Sequence, residues 1–157
     1  MEINLPMESN IFIDWRTDGL IYMNFPLSKN KLKTLRSTNS GRIWNELKFL
    51  NNENFDAQNP VHFEFSMHDP QSVPSNIITP DIQYQKLKDG LQPFITFDGG
   101  YSWKRIPKTK SKVTVLKLSS VIIAADLDTN FINYSLDEGS TWIRAKLFDN
   151  SPNDMIV

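Results

Sequence analysis

Several residue classes that identify a particular chemistry are missing from this 157-residue sequence. It contains no cysteine, which excludes disulfide bonds, thiolate nucleophiles and thiolate metal ligands. An excess of one charge sign is also missing, because 17 Lys and Arg residues are balanced by 18 Asp and Glu residues and the formal net charge is -1. Basic surfaces are typical of proteins that bind nucleic acid or anionic membranes, so neither partner is predicted.

Long apolar runs are lacking as well. The longest one, residues 121–125, ends at Asp126, whereas a transmembrane helix needs roughly 18 or more apolar residues. The N-terminal residues have neither the basic nor the apolar region of a signal peptide. We therefore expect no membrane span and no signal peptide in this sequence.

What the sequence does contain is a series of short runs rich in Ile, Val, Phe, Tyr and Thr, separated by clusters of Gly, Pro, Asn and Asp. This pattern is typical of β-strands joined by tight turns. The predicted strands are residues 11–15, 20–24, 32–37, 44–49, 62–66, 94–97, 103–106, 113–118, 121–125, 131–135 and 142–148. Residues 82–91 are interpreted as one short helix, and the polar stretches 51–60 and 69–80 as loops.

One motif recurs three times, each time between two apolar runs. Its pattern is Ser/Thr-x-Asp-x-Gly-x-Thr/Ser-Trp, and residues 96–103 and 135–142 match every specified position. In a weaker copy at residues 37–44, Asn39 replaces the Asp and Ile43 replaces the second hydroxyl residue. The motif residues are Ser37, Asn39, Gly41 and Trp44 in the first copy, Thr96, Asp98, Gly100 and Trp103 in the second, and Ser135, Asp137, Gly139 and Trp142 in the third.

The residue types of this motif suit a rigid hairpin turn. A short carboxylate or amide accepts hydrogen bonds from backbone N–H groups of its own turn. A glycine two residues later adopts a positive φ without steric cost, and the Trp offers a large surface for packing. A calcium site needs about six to eight oxygen ligands, so Asp98 and Asp137 are predicted to be structural rather than catalytic or metal-binding.

The spacing of the copies predicts the architecture. The interval from Trp103 to Trp142 is close to the roughly 40 residues of a four-stranded propeller blade. We therefore predict an all-β fold, a partial β-propeller of about three four-stranded antiparallel blades. The blades are expected at about residues 11–49, 61–106 and 113–148 of a single incomplete propeller segment, 1–157, with an insertion at 71–91.

The motifs resemble the Asp boxes of the sortilin family, whose lumenal portion is the vacuolar-protein-sorting-ten receptor domain. Residues 97–104, Phe-Asp-Gly-Gly-Tyr-Ser-Trp-Lys, are similar to a turn of that family, as are residues 132–139, Ile-Asn-Tyr-Ser-Leu-Asp-Glu-Gly. Residues 19–24 and 32–37 resemble two of its strands, and the resemblance covers most of residues 11–148. At residues 61–66 this sequence has no cysteine where the family has one, so the matching disulfide cannot form.

The resemblance implies a fragment of a sorting receptor rather than an enzyme. Family members carry a ten-bladed propeller, cysteine-rich modules, a membrane span and a sorting tail, and they transport protein or peptide cargo between Golgi, endosome and cell surface. This chain is accordingly expected on the lumenal or extracellular side, without a cofactor. The ligand-binding residues are unknown, and cargo is expected on loops that face the central tunnel or on exposed inner strand edges.

A sialidase-like glycosidase fragment is the alternative from another class, because Asp boxes also occur in sialidases. That chemistry needs clustered arginines beside catalytic carboxyl groups, and the arginines are Arg16, Arg36, Arg42, Arg105 and Arg144. Three of them lie in or just after a turn motif, which favours structural roles. A structural remnant without a ligand is the third hypothesis.

The remaining candidate sites favour structural interpretations. His62 and His68 are the only histidines, and no third ligand accompanies them, so no metal site is predicted. Asn133-Tyr134-Ser135 fits an N-glycosylation acceptor, but its place in a predicted strand favours a structural role. Because three blades leave two open faces, we expect the isolated chain to be marginally stable or to associate.

Overall fold

The computed structural model describes residues 10–50, 60–68, 80–109, 113–115, 121–126 and 130–146. These residues form an all-β structure of three four-stranded sheets, with one short 3-10 turn at Phe65–Met67. The predicted loops at 51–60 and 69–80 fall almost entirely outside the described residues, as do the ends of the predicted strands 113–118 and 142–148.

The first sheet is antiparallel throughout, and its strands are neighbours in the order in which they occur in the chain. The strands are β1 (Ile11–Ile13), β2 (Ile21–Ser28), β3 (Lys31–Ser37) and β4 (Asn45–Glu46). The β2–β3 hairpin lies at the centre of the sheet, and in it Tyr22 lies opposite Arg36.

The strands of the second sheet are β5 (Lys48–Phe49), β6 (Asp81–Leu87), β7 (Gly90–Thr96) and β8 (Ser102–Arg105). Their order in the sheet is β5-β8-β7-β6, and only the β5–β8 pair is parallel.

The strands of the third sheet are β9 (Thr114–Val115), β10 (Ile122–Asp126), β11 (Phe131–Ser135) and β12 (Ile143–Lys146). This sheet is antiparallel with the order β12-β11-β10-β9.

The predicted single strand at residues 44–49 is wrong, because the chain changes sheets within it. Trp44, just before β4, packs edge-on against Phe25 of the first sheet with ring centroids 5.2 Å apart. Phe49 packs against Phe94 of the second sheet, also at 5.2 Å. The two aromatic residues pack against different sheets, and β4 and β5 are separate strands on either side of Leu47.

The predicted helix at residues 82–91 is also wrong. These residues form β6, a two-residue turn and the start of β7, with seven paired positions between the strands. The insertion expected at 71–91 therefore includes an ordinary strand. Sequence inspection misread it because Gln83, Gln85 and Lys86 interrupt the apolar residues, and because Gln83 is buried although it is polar.

Residues 62–66, predicted as a strand, instead cross from one sheet to the next. The Thr34 N–H donates to the Val61 carbonyl at 3.0 Å, and the Glu64 N–H donates to the Tyr84 carbonyl at 2.6 Å. Because the segment bonds to β3 at one end and to β6 at the other, it cannot form a continuous ladder with either. It ends in the 3-10 turn.

Two buried apolar clusters hold adjacent sheets together. One lies between the first and second sheets and comprises Leu20, Tyr22, Val61, Phe63, Phe65, Phe94 and Trp103. The other lies between the second and third sheets and comprises Ile95, Ile106, Ile122 and Ala124. Each large side chain buried in this way contributes about 1.5–3 kcal/mol, so packing between sheets is a main source of stability.

Candidate functional site

The three copies of the turn motif occupy equivalent places in the three sheets. They join β3 to β4, β7 to β8 and β11 to β12, and in each case the two strands are antiparallel neighbours. The structure therefore sets all of the predicted turn residues in strand-to-strand corners. Whether these corners have a role beyond structure depends on which of their polar atoms are already engaged.

In the third corner, every motif side chain is used by the turn itself. The Ser135 Oγ accepts hydrogen bonds from the N–H groups of Gly139, at 2.8 Å, and Asp137, at 3.4 Å. The Asp137 carboxylate accepts from the Ser135 hydroxyl at 2.8 Å, from the Thr141 N–H at 2.8 Å and from the Thr141 hydroxyl at 2.5 Å. The Trp142 indole donates to the Gly139 carbonyl at 3.2 Å.

The second corner repeats this arrangement atom for atom. Thr96 Oγ1 accepts from the Gly100 N–H at 2.9 Å, and Asp98 accepts from the Thr96 hydroxyl at 2.8 Å. The Ser102 N–H and hydroxyl donate to the two carboxylate oxygens of Asp98 at 2.9 and 2.5 Å. The Trp103 indole donates to the Gly100 carbonyl at 3.0 Å.

The first corner keeps the backbone part of the pattern. Ser37 Oγ accepts from the Gly41 N–H at 2.9 Å, and Asn39 Oδ1 accepts from the Ser37 hydroxyl at 2.9 Å and from the Ile43 N–H at 2.8 Å. Ile43 has no hydroxyl for the remaining bond. Trp44 lies beside Gly41, 3.5 Å from the position a Cβ would take there.

The turn hydrogen bonds keep the motif carboxylates ionised. Bonds from Thr141 and Ser135 lower the pKa of Asp137 to about 2. Burial opposes ionisation of Asp98, but the bonds from Ser102 outweigh it and its pKa lies below the ordinary value. A carboxylate whose oxygens accept several donors is poorly suited to act as a general acid or nucleophile, which favours structural roles for both.

The corners also join one sheet to the next. The Arg36 guanidinium, on β3 of the first sheet, donates to the Gly99 carbonyl in the second corner at 3.1 Å. The Lys104 ammonium, on β8 of the second sheet, donates to the Glu138 carbonyl and the Ser140 hydroxyl in the third corner at 3.1 and 3.2 Å. Sequence reasoning missed both contacts, since no motif links residues of separate sheets.

A buried ionic cluster also connects the first two sheets. The Arg16 guanidinium lies 2.8 Å from an Asp14 carboxylate oxygen and 3.1 Å from one of Asp81, and the His68 Nε2 lies 2.8 Å from the other Asp81 oxygen. Burial opposes ionisation of Asp14, but the bonds from Arg16 hold its pKa below the ordinary value. The carboxylates are only 7% exposed, so the cluster suits inter-sheet contact better than substrate binding.

The described contacts of Arg16, Arg36, Arg105 and Arg144 lie at separate places in the structure. Arg16 and Arg36 have the partners just described, and Arg144 lies over the Phe131 ring at 4.3 Å. Arg105 lines a separate cleft that also contains His62. Among the described residues there is no group of three or more His, Cys, Asp or Glu side chains that could hold a metal ion.

Asn133 lies in the middle of β11, paired with β10 on one side and β12 on the other. Ser135, the hydroxyl residue of the glycosylation pattern, is fully buried in the third corner. This setting favours the structural interpretation of the pattern. In the part of the chain that the structure describes, no helix is long and apolar enough to cross a membrane.

A cleft of about 350 Å³ lies between the first and second sheets. It is at the end opposite the corners, because it is lined by Lys31 at the start of β3, Gln92 near the start of β7 and Arg105 at the end of β8. Its other polar lining residues include His62, Gln85 and Lys108. Sequence reasoning missed this cleft, since its walls come from segments far apart in the chain.

Comparison with known proteins finds a family match that covers the second half of the chain. Residues 83–154 match the family model Sortilin-Vps10, described as sortilin, neurotensin receptor 3. The chain is 24% identical to sortilin of Rattus norvegicus over 155 residues, which is 84% of this chain and 19% of that protein.

Fungal relatives match shorter stretches at higher identity. The vacuolar protein sorting/targeting protein 10 of Aspergillus flavus is 45% identical over 56 residues, or 34% of this chain and 4% of that protein. The protein of the same name from Paracoccidioides lutzii is 34% identical over 77 residues, or 48% of this chain and 5% of that protein. The chain thus spans less than a fifth of the length of these relatives.

Proposed function

We propose that this chain, which matches the sortilin family in sequence, forms part of a sorting-receptor domain that binds protein or peptide cargo on the lumenal side of Golgi or endosomal membranes. The observation that carries the proposal is the threefold repetition of one corner in three sheets that pack side by side. Family resemblance supplies the cargo and the compartment.

The proposed architecture is a segment of a β-propeller with three blades at about residues 11–49, 61–106 and 113–148, in which β5 at the end of the first range pairs with the second blade. Two findings support it. Each of the two later corners receives a cation from the preceding sheet, Arg36 in one case and Lys104 in the other. Each adjacent pair of sheets also shares a buried apolar cluster. Successive sheets related by a constant rotation would make such contacts repeatedly.

The segment is proposed to act by binding and not by catalysis. The corner carboxylates accept hydrogen bonds from their own turns, and the buried cluster of Asp14, Arg16, Asp81 and His68 is internally paired. The end of the sheets opposite the corners offers polar surface that includes the exposed Lys31 and Lys108. A binding module needs such a surface on a rigid scaffold.

Binding of a synthetic propeptide of a lysosomal hydrolase to the immobilised chain, measured by surface plasmon resonance, tests this proposal. We expect saturable binding that disappears after thermal unfolding of the chain. Absence of saturable binding to propeptide and neuropeptide probes would contradict it. Turnover of a fluorogenic sialoside that is lost on replacement of Arg16 or Arg36 would favour the glycosidase alternative.

A further inference from the structure

The cleft between the first and second sheets concentrates positive charge. Lys31, Arg105 and Lys108 line it, and no described lining residue is a carboxylate. The chain as a whole is almost neutral, with a formal charge of -1, so this local sign is not a consequence of overall composition. Cations gathered in a concave surface raise the local concentration of anions.

The uncharged part of the lining suits a peptide rather than a bare inorganic ion. Gln85 and Gln92 supply amides, and Leu32 and Leu87 supply apolar surface. The Gln92 side chain is held in place by its bonds to the carbonyls of Pro93, at 3.1 Å, and Ile106, at 2.6 Å. Amide groups beside apolar surface can bind backbone and side-chain groups of an extended peptide.

We propose that this cleft binds an acidic peptide segment, with Lys108, Arg105 and Lys31 binding its Glu or Asp carboxylates. This inference rests on the cargo-binding function proposed above, with the cleft as one surface that contacts the cargo. Burial lowers the pKa of His62, which disfavours its charged form. The cations of the site are therefore the lysines and the arginine.

Lys108 is the most informative of these cations. It is exposed, and no ion pair joins it to another described residue, whereas Lys31 and Arg105 make further interactions within the chain. Replacing Lys108 should therefore change the charge of the cleft without disturbing the fold. Lys146, exposed on β12 and outside the cleft, is a control with the same change in net charge.

The test uses two capped fluorescent peptides, one of alternating Glu and Ala and the other with Gln in place of Glu. At low salt, fluorescence anisotropy should show that the full chain binds the Glu peptide at least about tenfold more tightly than the Gln peptide. Lys108→Glu should weaken binding of the Glu peptide by about tenfold. Lys146→Glu should leave it unchanged, and Gln85→Lys should strengthen it.

Equal binding of the two peptides, or a Lys108→Glu variant that binds like the Lys146→Glu control, would overturn the proposal. Competition by free sialic acid or glutarate as effective as that of the peptide would also overturn it, because the ligand would then be a small carboxylate. If the Lys108→Glu variant still binds the propeptide, the cargo-binding function is supported but this cleft is not its binding site. If the chain binds the Glu peptide but no propeptide, the cleft is supported and the cargo-binding function is contradicted.

Discussion

Asn39, Asp98 and Asp137 occupy the same position in three corners, yet only the two carboxylates can titrate. All three oxygens accept a hydrogen bond from the N–H four residues later, at 2.8 to 2.9 Å. The first corner therefore demonstrates that an amide performs the backbone part of the task. The carboxylate adds a second oxygen, which accepts from the hydroxyl of Ser102 or Thr141.

The titration of Asp137 predicts a pH dependence of stability. Its pKa falls from 3.8 to about 2 on folding, so the ionised form stabilises the native state above the unfolded pKa, and this contribution is lost as the pH falls toward the folded pKa. We expect Asp137→Asn to reduce the free energy of unfolding above about pH 4, with the difference from the wild type shrinking toward about pH 2. Urea denaturation at a series of pH values, followed by Trp fluorescence, measures the unfolding free energy of both proteins.

Asp89→Asn, at the exposed β6–β7 hairpin tip, is the control for that experiment. It removes a carboxylate that belongs to no corner, and its effect should be small throughout. If the difference in unfolding free energy between the wild type and Asp137→Asn stays constant across the acid range, ionisation of the carboxylate does not stabilise the turn.

Two adjacent glycines of the second corner separate backbone strain from packing. Gly99 and Gly100 have φ values of 71° and 89°, and both therefore lie in the left-handed region. A Cβ at Gly99 would meet nothing within 4 Å, whereas one at Gly100 would lie 1.7 Å from the Tyr22 hydroxyl oxygen of the first sheet. Only Gly100 is required by the approach of the neighbouring sheet.

Gly99→Ala is accordingly expected to cost about 1–2 kcal/mol of unfolding free energy, from strain alone. Gly100→Ala should cost about 1–3 kcal/mol more, because Tyr22 must move as well. Urea midpoints for the two variants measure the difference. Equal destabilisation by the two substitutions would mean that the second corner does not touch the first sheet.

At the scale of elements, the segment 60–68 joins two sheets without belonging to either. Its central contact is a closed ring of three hydrogen bonds. The Thr34 hydroxyl donates to Asn24 Oδ1 at 2.5 Å, the Asn24 amide donates to the Phe63 carbonyl at 2.9 Å, and the Phe63 N–H donates to Thr34 Oγ1 at 2.8 Å. All three bonds are buried, so each polar group depends on the ring.

Thr34→Val keeps the shape of that side chain and removes its hydroxyl. We expect it to destabilise the chain by about 1–3 kcal/mol, because the Phe63 N–H is left buried without an acceptor. Thr38→Val, at an exposed position, is the matched control and should change stability by less than about 0.5 kcal/mol. Thermal unfolding followed by circular dichroism compares them, and equal melting temperatures would exclude a structural role for the ring.

Strands were predicted correctly from the sequence where the strand has its own apolar pattern. The prediction failed where contacts with other parts of the chain determine the structure. β3 and β11 were predicted to within one residue because turn residues bound them on both sides. β6 was missed because its buried positions include Asp81 and Gln83. The division between β4 and β5 depends on the different partners of Trp44 and Phe49, which local sequence does not specify.

Site prediction shows the same limit. The corner residues could be proposed from the sequence because the motif is local, with hydrogen bonds between residues of the same eight-residue stretch. The cleft was missed because Lys31, Gln85 and Lys108 come from separate strands and connections. Contacts between sheets, such as that of Arg36 with Gly99, have no signature in a single sequence.

At the scale of the whole molecule, the second sheet packs against a sheet on each side, whereas the first and third each have one such neighbour in the described structure. Large apolar side chains are exposed on the first sheet and its loops, among them Ile13 at 66% and Trp15 at 63%. Exposed apolar surface of this kind is typical of an interface. It agrees with the expectation that the isolated chain is marginally stable or associates.

The central claim is that the three sheets follow one another around an arc, and spin-label distances between the corners test it most directly. Arg42, Tyr101 and Ser140 are exposed and occupy the same motif position, and the absence of native cysteine allows labelled pairs at Arg42→Cys, Tyr101→Cys and Ser140→Cys. Electron–electron resonance, with labelled chain diluted in unlabelled chain, should give similar distances for 42–101 and 101–140 and a longer one for 42–140. A 42–140 distance no longer than the other two would contradict the arc and with it the propeller.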